Sequence, residues 1–256
     1  MKPIARRERI ASIVKEMSRV SVEELAQLLS TSHETVRRDL AVLSERGIVR
    51  KVHGGAVHTQ TALESPYGDR SATARAEKAA IASRAAQLFG NGDSLLIDTG
   101  STTAAFAEAL GRTGNFTVIT NSIIVAKELW YASKRSDVYL LGGRYSGDSQ
   151  ETVGPHAIEE IQRLHADHAV LTIGAIDPMG VFMDYNADEA YIARAMMASA
   201  RQTTVLADSS KLGRHALFQV CEAHQVHRLV TDSPPPLPLA EALRSAGVEV
   251  LVADLV

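Results

Sequence analysis

The chain has 256 residues, 45% of them hydrophobic and 22% charged, with a formal net charge of −3; that length suits two domains, and the composition excludes a fibrous or wholly disordered polymer. Its single cysteine, Cys221, excludes an internal disulfide framework. The opening MKPIARRERI lacks the apolar stretch of a secretion signal and no run of about 18 apolar residues occurs, so the chain is expected in the cytoplasm with no membrane partner.

The first predicted unit is residues 1–57. Ser21 and Glu24 have the spacing of a reciprocal capping box, with Val20 and Leu25 placed to staple the entry, so a helix starts at Val22. Val22, Leu25, Ala26 and Leu29 give it one inward stripe. After Ser30, a second helix is capped by either Thr31 or Ser32 and buries Val36, Leu40 and Leu43. Its outward side carries Ser32, His33, Glu34, Thr35, Arg37 and Arg38, residue types that read base edges and phosphates when the second helix of such a pair enters the major groove. Gly47 ends that helix. Next comes a basic hairpin, with Arg50 and Lys51 ahead of a turn at His53, Gly54 and Gly55 that requires either positive φ or close backbone approach. A packing module would also fit this outline, but charge separates the two. Residues 1–57 hold 11 basic against 7 acidic side chains, a net of +4, and the rest of the chain is net −7. A basic head on an acidic body fits a winged helix-turn-helix that binds double-stranded DNA.

Residues 58–70, HTQTALESPYGDR, are polar, aperiodic and contain Pro66 and Gly68, which predicts a linker. Residues 71–88 are alanine-rich at helical spacing. Seven short apolar runs then alternate with helical stretches: SLLID (94–98), TVIT (117–120), VYLLG (138–142), AVLTIG (169–174), TTVLAD (203–208), RLVTD (228–232) and VEVLVA (248–253). They predict an α/β domain, residues 71–256, with a mostly parallel sheet covered on both faces.

In such a sheet ligands bind beyond the carboxyl ends of the strands. Thr99, Gly100, Ser101, Thr102 and Thr103 follow the first run and open a helix, which makes an anion cradle of amides and hydroxyls. Asn121 and Ser122, Gly142 and Gly143, Gly174 and Asp177, and Asp208, Ser209, Ser210 and Lys211 follow later runs. Any one of these loops could be a helix cap; five at one edge suit a phosphate joined to hydroxyl-bearing carbon. No GxGxxG follows a strand and no GxxxxGK[ST] occurs, so no nucleotide cofactor is expected. Cys221, His224 and His227 stand three apart in CEAHQVH, as zinc ligands on one helix face would, but lack a fourth partner, and no metal is expected. His165 and His168 are expected on a solvated face, Trp130 and Tyr131 in packing, and Pro234, Pro235 and Pro236 in a rigid loop.

HETVRRDLAVLSERGIVRKVHGGAV, then DTGSTT, TNS, LGG, GAID, NADEA and ADSSKLGR, in that order, resemble the DeoR family of bacterial transcriptional regulators along nearly the whole chain. TDSPPP and the general run look nearest to its glycerol-3-phosphate repressor branch. The resemblance implies an N-terminal winged helix-turn-helix on operator DNA and a larger C-terminal α/β domain similar to ribose-5-phosphate isomerase that senses a phosphorylated sugar or polyol. It places the phosphate loop on Asp98, Thr99, Gly100, Ser101, Thr102 and Thr103, strand-end loops on Asn121, Ser122, Gly142 and Gly143, an acidic loop holding Asp184, Asp188 and Glu189, and a basic loop at Lys211. In that assignment Lys211 opposes the phosphate and the acidic side chains accept from ligand hydroxyls. This chain departs from many members in having Ala193 where a lysine follows the acidic pair, and in a longer segment before that pair. A homodimer or homotetramer is expected, since one short reading helix gives little specificity alone. The competing expectation is an isomerase-like enzyme fused to a nucleic-acid-binding module; a DNA reader argues for a regulator without chemistry.

Overall fold

The computed structural model describes residues 3–17, 19–45, 48–52, 54–58 and 66–254. They form two compact units, Met1–Ser65 and Pro66–Val256.

The first unit runs α1 (Pro3–Met17), β1 (Arg19–Ser21), α2 (Val22–Leu28), α3 (His33–Glu45), β2 (Val49–Val52) and β3 (Gly55–His58). Its strands form an antiparallel sheet in the order β1-β3-β2. The capping box forms as the spacing predicts: the Glu24 amide donates to Ser21 Oγ at 3.1 Å and the Ser21 amide to Glu24 Oε2 at 2.8 Å. Val20, Leu25, Val36, Leu40 and Leu43 enter one core with Ile10, Ile13 and Val14 of α1. The hairpin needs both glycines, for different reasons. Gly54 has φ +74°, while a Cβ on Gly55 would stand 2.3 Å from the Val20 carbonyl oxygen, so only glycine lets β3 lie against β1.

The second unit begins before the predicted linker ends. Tyr67–Ala72 is a helix (α4), followed by α5 (Arg75–Ala86); residues 59–65 lie outside the described residues. The break comes at Ala74, with φ +53°, and buried Lys78 of α5 donates Nζ to the Arg70 and Thr73 carbonyls that end α4. This satisfies orphan carbonyls at a helix terminus, a tertiary gain that Pro66 and Gly68 do not reveal.

Then follow β4 (Ser94–Ile97), α6 (Ser101–Leu110), β5 (Thr117–Thr120), α7 (Ile123–Ala132), β6 (Asp137–Leu140), β7 (Arg144–Ser146), β8 (Glu151–Val153), α8 (Pro155–Ile161), β9 (Ala166–Leu171), β10 (Ala175–Ile176), β11 (Val181–Asp184), α9 (Ala187–Ala198), β12 (Ala200–Leu206), β13 (Phe218–Glu222), β14 (Arg228–Thr231), α10 (Leu237–Ser245) and β15 (Glu249–Val252). All seven predicted runs join one sheet in the order β15-β14-β12-β9-β4-β5-β6, and every pairing in it is parallel. Side-chain alternation divides the core between the faces. Leu95, Ile97, Val170 and Leu206 pack with α5, α6 and α7, whereas Leu96, Ala169, Leu171 and Val205 pack with α8, α9 and α10. Strand order reverses between β4 and β9, so the topological switch point lies at the centre of the sheet.

Short antiparallel additions, β7-β8 and β10-β11-β13, carry the chain over the strand ends and have no sustained apolar period in sequence. Three local expectations change. CEAHQVH is the end of β13 and a 3-10 turn, Ala223–Gln225, rather than one helix face, and among the described residues no group of three His, Cys, Asp or Glu could hold a metal ion. His168 is in β9, packed edge-on against Phe89 with centroids 5.0 Å apart, and burial lowers its pKa. Trp130 and Tyr131 on α7 are exposed, 53% and 69%, because α7 covers the edge strand with its other side. No described helix is long and apolar enough to cross a membrane.

Candidate functional sites

The reading helix α3 is capped by Ser32, whose Oγ accepts from the Thr35 amide at 3.3 Å; Thr35 Oγ1 lies 2.9 Å from the same oxygen. Ser32, His33, Glu34, Arg37 and Arg38 are exposed, Thr35 half-buried, and Arg38 Nε rests on Glu34 one turn back at 3.1 Å. Such an exposed pair is weak and breaks readily when a phosphate or base edge offers a better acceptor. Beneath it, Asp39 is 2% exposed and accepts from Arg6 Nε at 2.5 Å and Arg7 Nε at 2.8 Å. Two arginines of α1 are thereby tied to the buried side of α3, which sets its orientation; they are part of the +4 charge but not of the free basic surface. Lys51 is exposed beside the β2-β3 turn, Arg50 lies opposite Val57 in β2, and Gly55 is buried against β1. His53 and Gly47 lie outside the described residues.

The second site stands at the switch point. Asp98 leaves β4 and both its oxygens accept from the Thr172 amide, at 2.9 and 3.1 Å, across to the end of β9. Thr172 Oγ1 donates back to the Thr99 carbonyl at 3.0 Å. Gly100 then meets the Thr172 side chain so closely that a Cβ would stand 2.4 Å from Oγ1. That contact starts α6 with no side-chain cap, so the amides of Ser101, Thr102 and Thr103 head the helix uncapped by a side chain, the arrangement that binds anions.

Beside them is a small cavity with about 10 Å³ of open space, lined by Asp98, Thr99, Asn121, Glu151, Thr172, Asp184, Glu189 and Ile192. Five residues expected from sequence, Asp98, Thr99, Asn121, Asp184 and Glu189, meet there. Ser122 is next to it, capping α7 through the Val125 amide at 3.3 Å and receiving Thr99 Oγ1 at 3.4 Å. Other expected residues have different local duties. The Gly142 amide donates to Glu160 Oε2 at 2.9 Å, Gly143 takes φ +139° under the Val153 carbonyl, and Gly174 gives room to the Tyr185 ring. Asp177 closes a turn through the Met179 and Val181 amides, both at 2.9 Å. Asp188 pairs with Arg144 outside the cavity, and Lys211 ends a 3-10 turn, Ser209–Lys211, capped by Asp208.

Glu151, Thr172 and Ile192 are the lining residues that sequence reasoning missed. Glu151 follows Gln150, which has φ +51°, and is fully buried with Oε2 accepting from Asn121 Nδ2 at 3.0 Å. Burial pushes its carboxyl up to about 7, against the pull of Ser149, Asn121 and Arg70 and with the charge of Asp184 adding to the rise. Asp98 is raised well above the usual carboxylate range, first by burial and then by Asp184, Glu189 and Glu151, with the Thr172 amide opposing. Crowding of acids in a dry place characterises a ligand site more than a structural one.

Comparison with known proteins assigns a family model to each unit. Residues 6–62 match the family model of a DeoR-like helix-turn-helix domain, and residues 73–233 that of the DeoR C terminal sensor domain. The HTH-type transcriptional repressor CsqR of Escherichia coli (strain K12) is 32% identical, with 96% of this chain and 94% of that protein covered. The glycerol-3-phosphate regulon repressor of the same organism is also 32% identical, covering 98% and 99%. Among solved structures, ribose 5-phosphate isomerase A from Methanocaldococcus jannaschii aligns with 53% of each chain, at 18% identity and a TM-score of 0.39.

Proposed function

The chain belongs to the DeoR family of transcriptional regulators, and from that premise we propose that it is a DNA-binding repressor of a sugar or polyol catabolic operon, working in the cytoplasm and controlled by a phosphorylated sugar or polyol such as glycerol 3-phosphate. One observation carries the proposal: a single chain joins an exposed, basic reading helix to an enclosed polar pocket at the switch point of a parallel sheet. Arg37, Arg38 and Ser32 contact the major groove, and Lys51 with the Gly54 turn lies on phosphate. In the second unit the amides heading α6 take the ligand phosphate, with Lys211 as the expected cation, while Asn121, Glu151 and Glu189 meet its polar end.

The ligand acts by differential affinity for two arrangements of a homodimer or homotetramer, one of which matches paired half-sites; no bond in the ligand is broken. Arg144 with Asp188 and Glu160 with Gly142 tie β7 and the turn before it to α9 and α8, which braces the hairpin that carries Glu151.

The test is fluorescence anisotropy with duplex from the upstream region of the protein's own gene. Affinity should fall steeply between about 50 and 200 mM salt, as counterion release requires, and one of a panel of sugar and polyol phosphates should shift it at fixed salt. No binding at the lowest salt would refute the regulator. Turnover of pentose or triose phosphates above background would instead favour an isomerase.

A further inference from the structure

Four carboxyl groups, Asp98, Glu151, Asp184 and Glu189, line the small cavity at the switch point. Three of them have work inside the fold. Asp98 receives the Thr172 amide with both oxygens, Asp184 Oδ1 receives the amides of Tyr185 at 2.6 Å and Asn186 at 3.1 Å, and Glu189 receives Asn186 Nδ2 at 3.1 Å. Glu151 is half-used: Oε2 accepts from Asn121, but Oε1 meets no donor among the described residues. The same holds for Asn121 Oδ1. Both residues are fully buried, and both orphan atoms belong to cavity-lining side chains.

Orphan acceptors in a buried place call for a donor from outside the protein. The room is that of roughly one water molecule, so the group that enters is a single small head rather than a sugar ring. A hydroxyl fits the space but brings one proton and no charge. An ammonium fits the same space, brings three donors, and offsets the acids gathered round it. A metal ion lacks its cage, since no described group of three acidic, His or Cys side chains could hold one.

We propose that the cavity receives the protonated amino group of the effector, so that the ligand class is an amino-sugar or amino-polyol phosphate, selected by the acceptor pair Glu151 and Asn121. This rests on the sugar-phosphate assignment above and narrows it. Thr99 lines the cavity and lies two residues before the head of α6, so phosphate on the α6 amides and ammonium in the cavity are both within reach of one compact ligand.

Calorimetric titration of the full chain with matched pairs tests this: glucosamine 6-phosphate against glucose 6-phosphate, galactosamine 6-phosphate against galactose 6-phosphate, and phosphoethanolamine against 2-hydroxyethyl phosphate. In at least one pair the amino member should bind about tenfold tighter or more, the scale of one charge-assisted contact. Its binding should release protons, seen by repeating the titration in buffers of different ionisation heat, because an ammonium favours ionised Glu151. Glu151→Gln should cut the ratio of amino-member to hydroxyl-member affinity several-fold, whatever its effect on either affinity alone. Equal or weaker binding of the amino member in every pair overturns the proposal and leaves a hydroxyl sensor; no binding by any phosphate overturns the sugar-phosphate assignment and this proposal with it. The wild-type pairs decide even where Glu151→Gln fails to fold.

Discussion

In the N-terminal unit the cations of the proposed DNA-reading face are outside and the acid beneath their helix is inside, whereas in the C-terminal unit the acids of the proposed ligand pocket are themselves inside. Arg37 and Arg38 are exposed on α3, and Asp39 lies buried under the same helix with Arg6 and Arg7 on it. Asp98, Asn121 and Glu151 are buried at the sheet edge, tied to one another or to strand-end amides. A polymer of phosphates is a wide partner and is best met by solvated, mobile cations, since affinity comes from releasing its counterions. A small ligand is met by few groups, which gain strength only where water is excluded. The two partners therefore leave opposite marks: a charge imbalance along the chain for one, shifted pKa values in a small volume for the other.

The strongest way to break this contrast is at Asp39. Asp39→Ala leaves Arg6 and Arg7 without their shared buried acceptor, and should destabilise the first unit by about 3–5 kcal/mol. Calorimetry should show its transition lowered or lost, with the transition of the second unit in place; an unmoved first transition would mean that the clamp does not organise the helix.

Next is the pH response of the second unit. Glu151 sits near 7 when folded against 4.5 for the free side chain, so between those values the folded state holds the extra proton. Stability must then fall as pH rises from about 4.5 to 7, by as much as about 3 kcal/mol from this group, and Asp98 pushes in the same direction. Glu151→Gln should flatten that slope and be the more stable protein at pH 8. Thermal melts across pH 4.5–8 check it, and an identical slope in the variant would show that Glu151 is ionised throughout.

At the exposed helix the effect is on binding alone. Arg38→Ala should weaken operator affinity by about 1–3 kcal/mol, roughly ten- to a hundredfold, with folding and ligand affinity unchanged. Joint loss of DNA and ligand binding would contradict the separation of the two sites. The smallest change is Ser21→Ala, which removes one half of the capping box and should lower the stability of the first unit by about 1 kcal/mol. A chemical-denaturation midpoint that does not move would show that β1 pairing alone holds the start of α2.

How much was legible in advance follows the range of each interaction. The capping box, the stripe of Val36, Leu40 and Leu43, and the seven strand runs lie within a few residues of themselves, and each forms where its spacing predicts. That Asp98, Thr99 and Asn121 come together is legible because parallel topology sends every strand end to one edge. The helix Tyr67–Ala72 was missed because its C-terminal carbonyls are satisfied by Lys78, a residue of the next helix. Glu151 was missed because nothing near it in sequence distinguishes a buried acid from a solvated one; its partner Asn121 is thirty residues away.

By itself, then, the amino-acid order determined the kind of elements, their succession, the uneven charge and the family, because periodicity, capping and net charge are local or additive properties. The identity of the acids that share a buried cavity, the close packing at Gly143 and Gly174, and the buried clamp under α3 were decided only by tertiary structure. Desolvation and hydrogen-bond satisfaction depend on which distant segments meet, and no short stretch of the chain encodes that meeting.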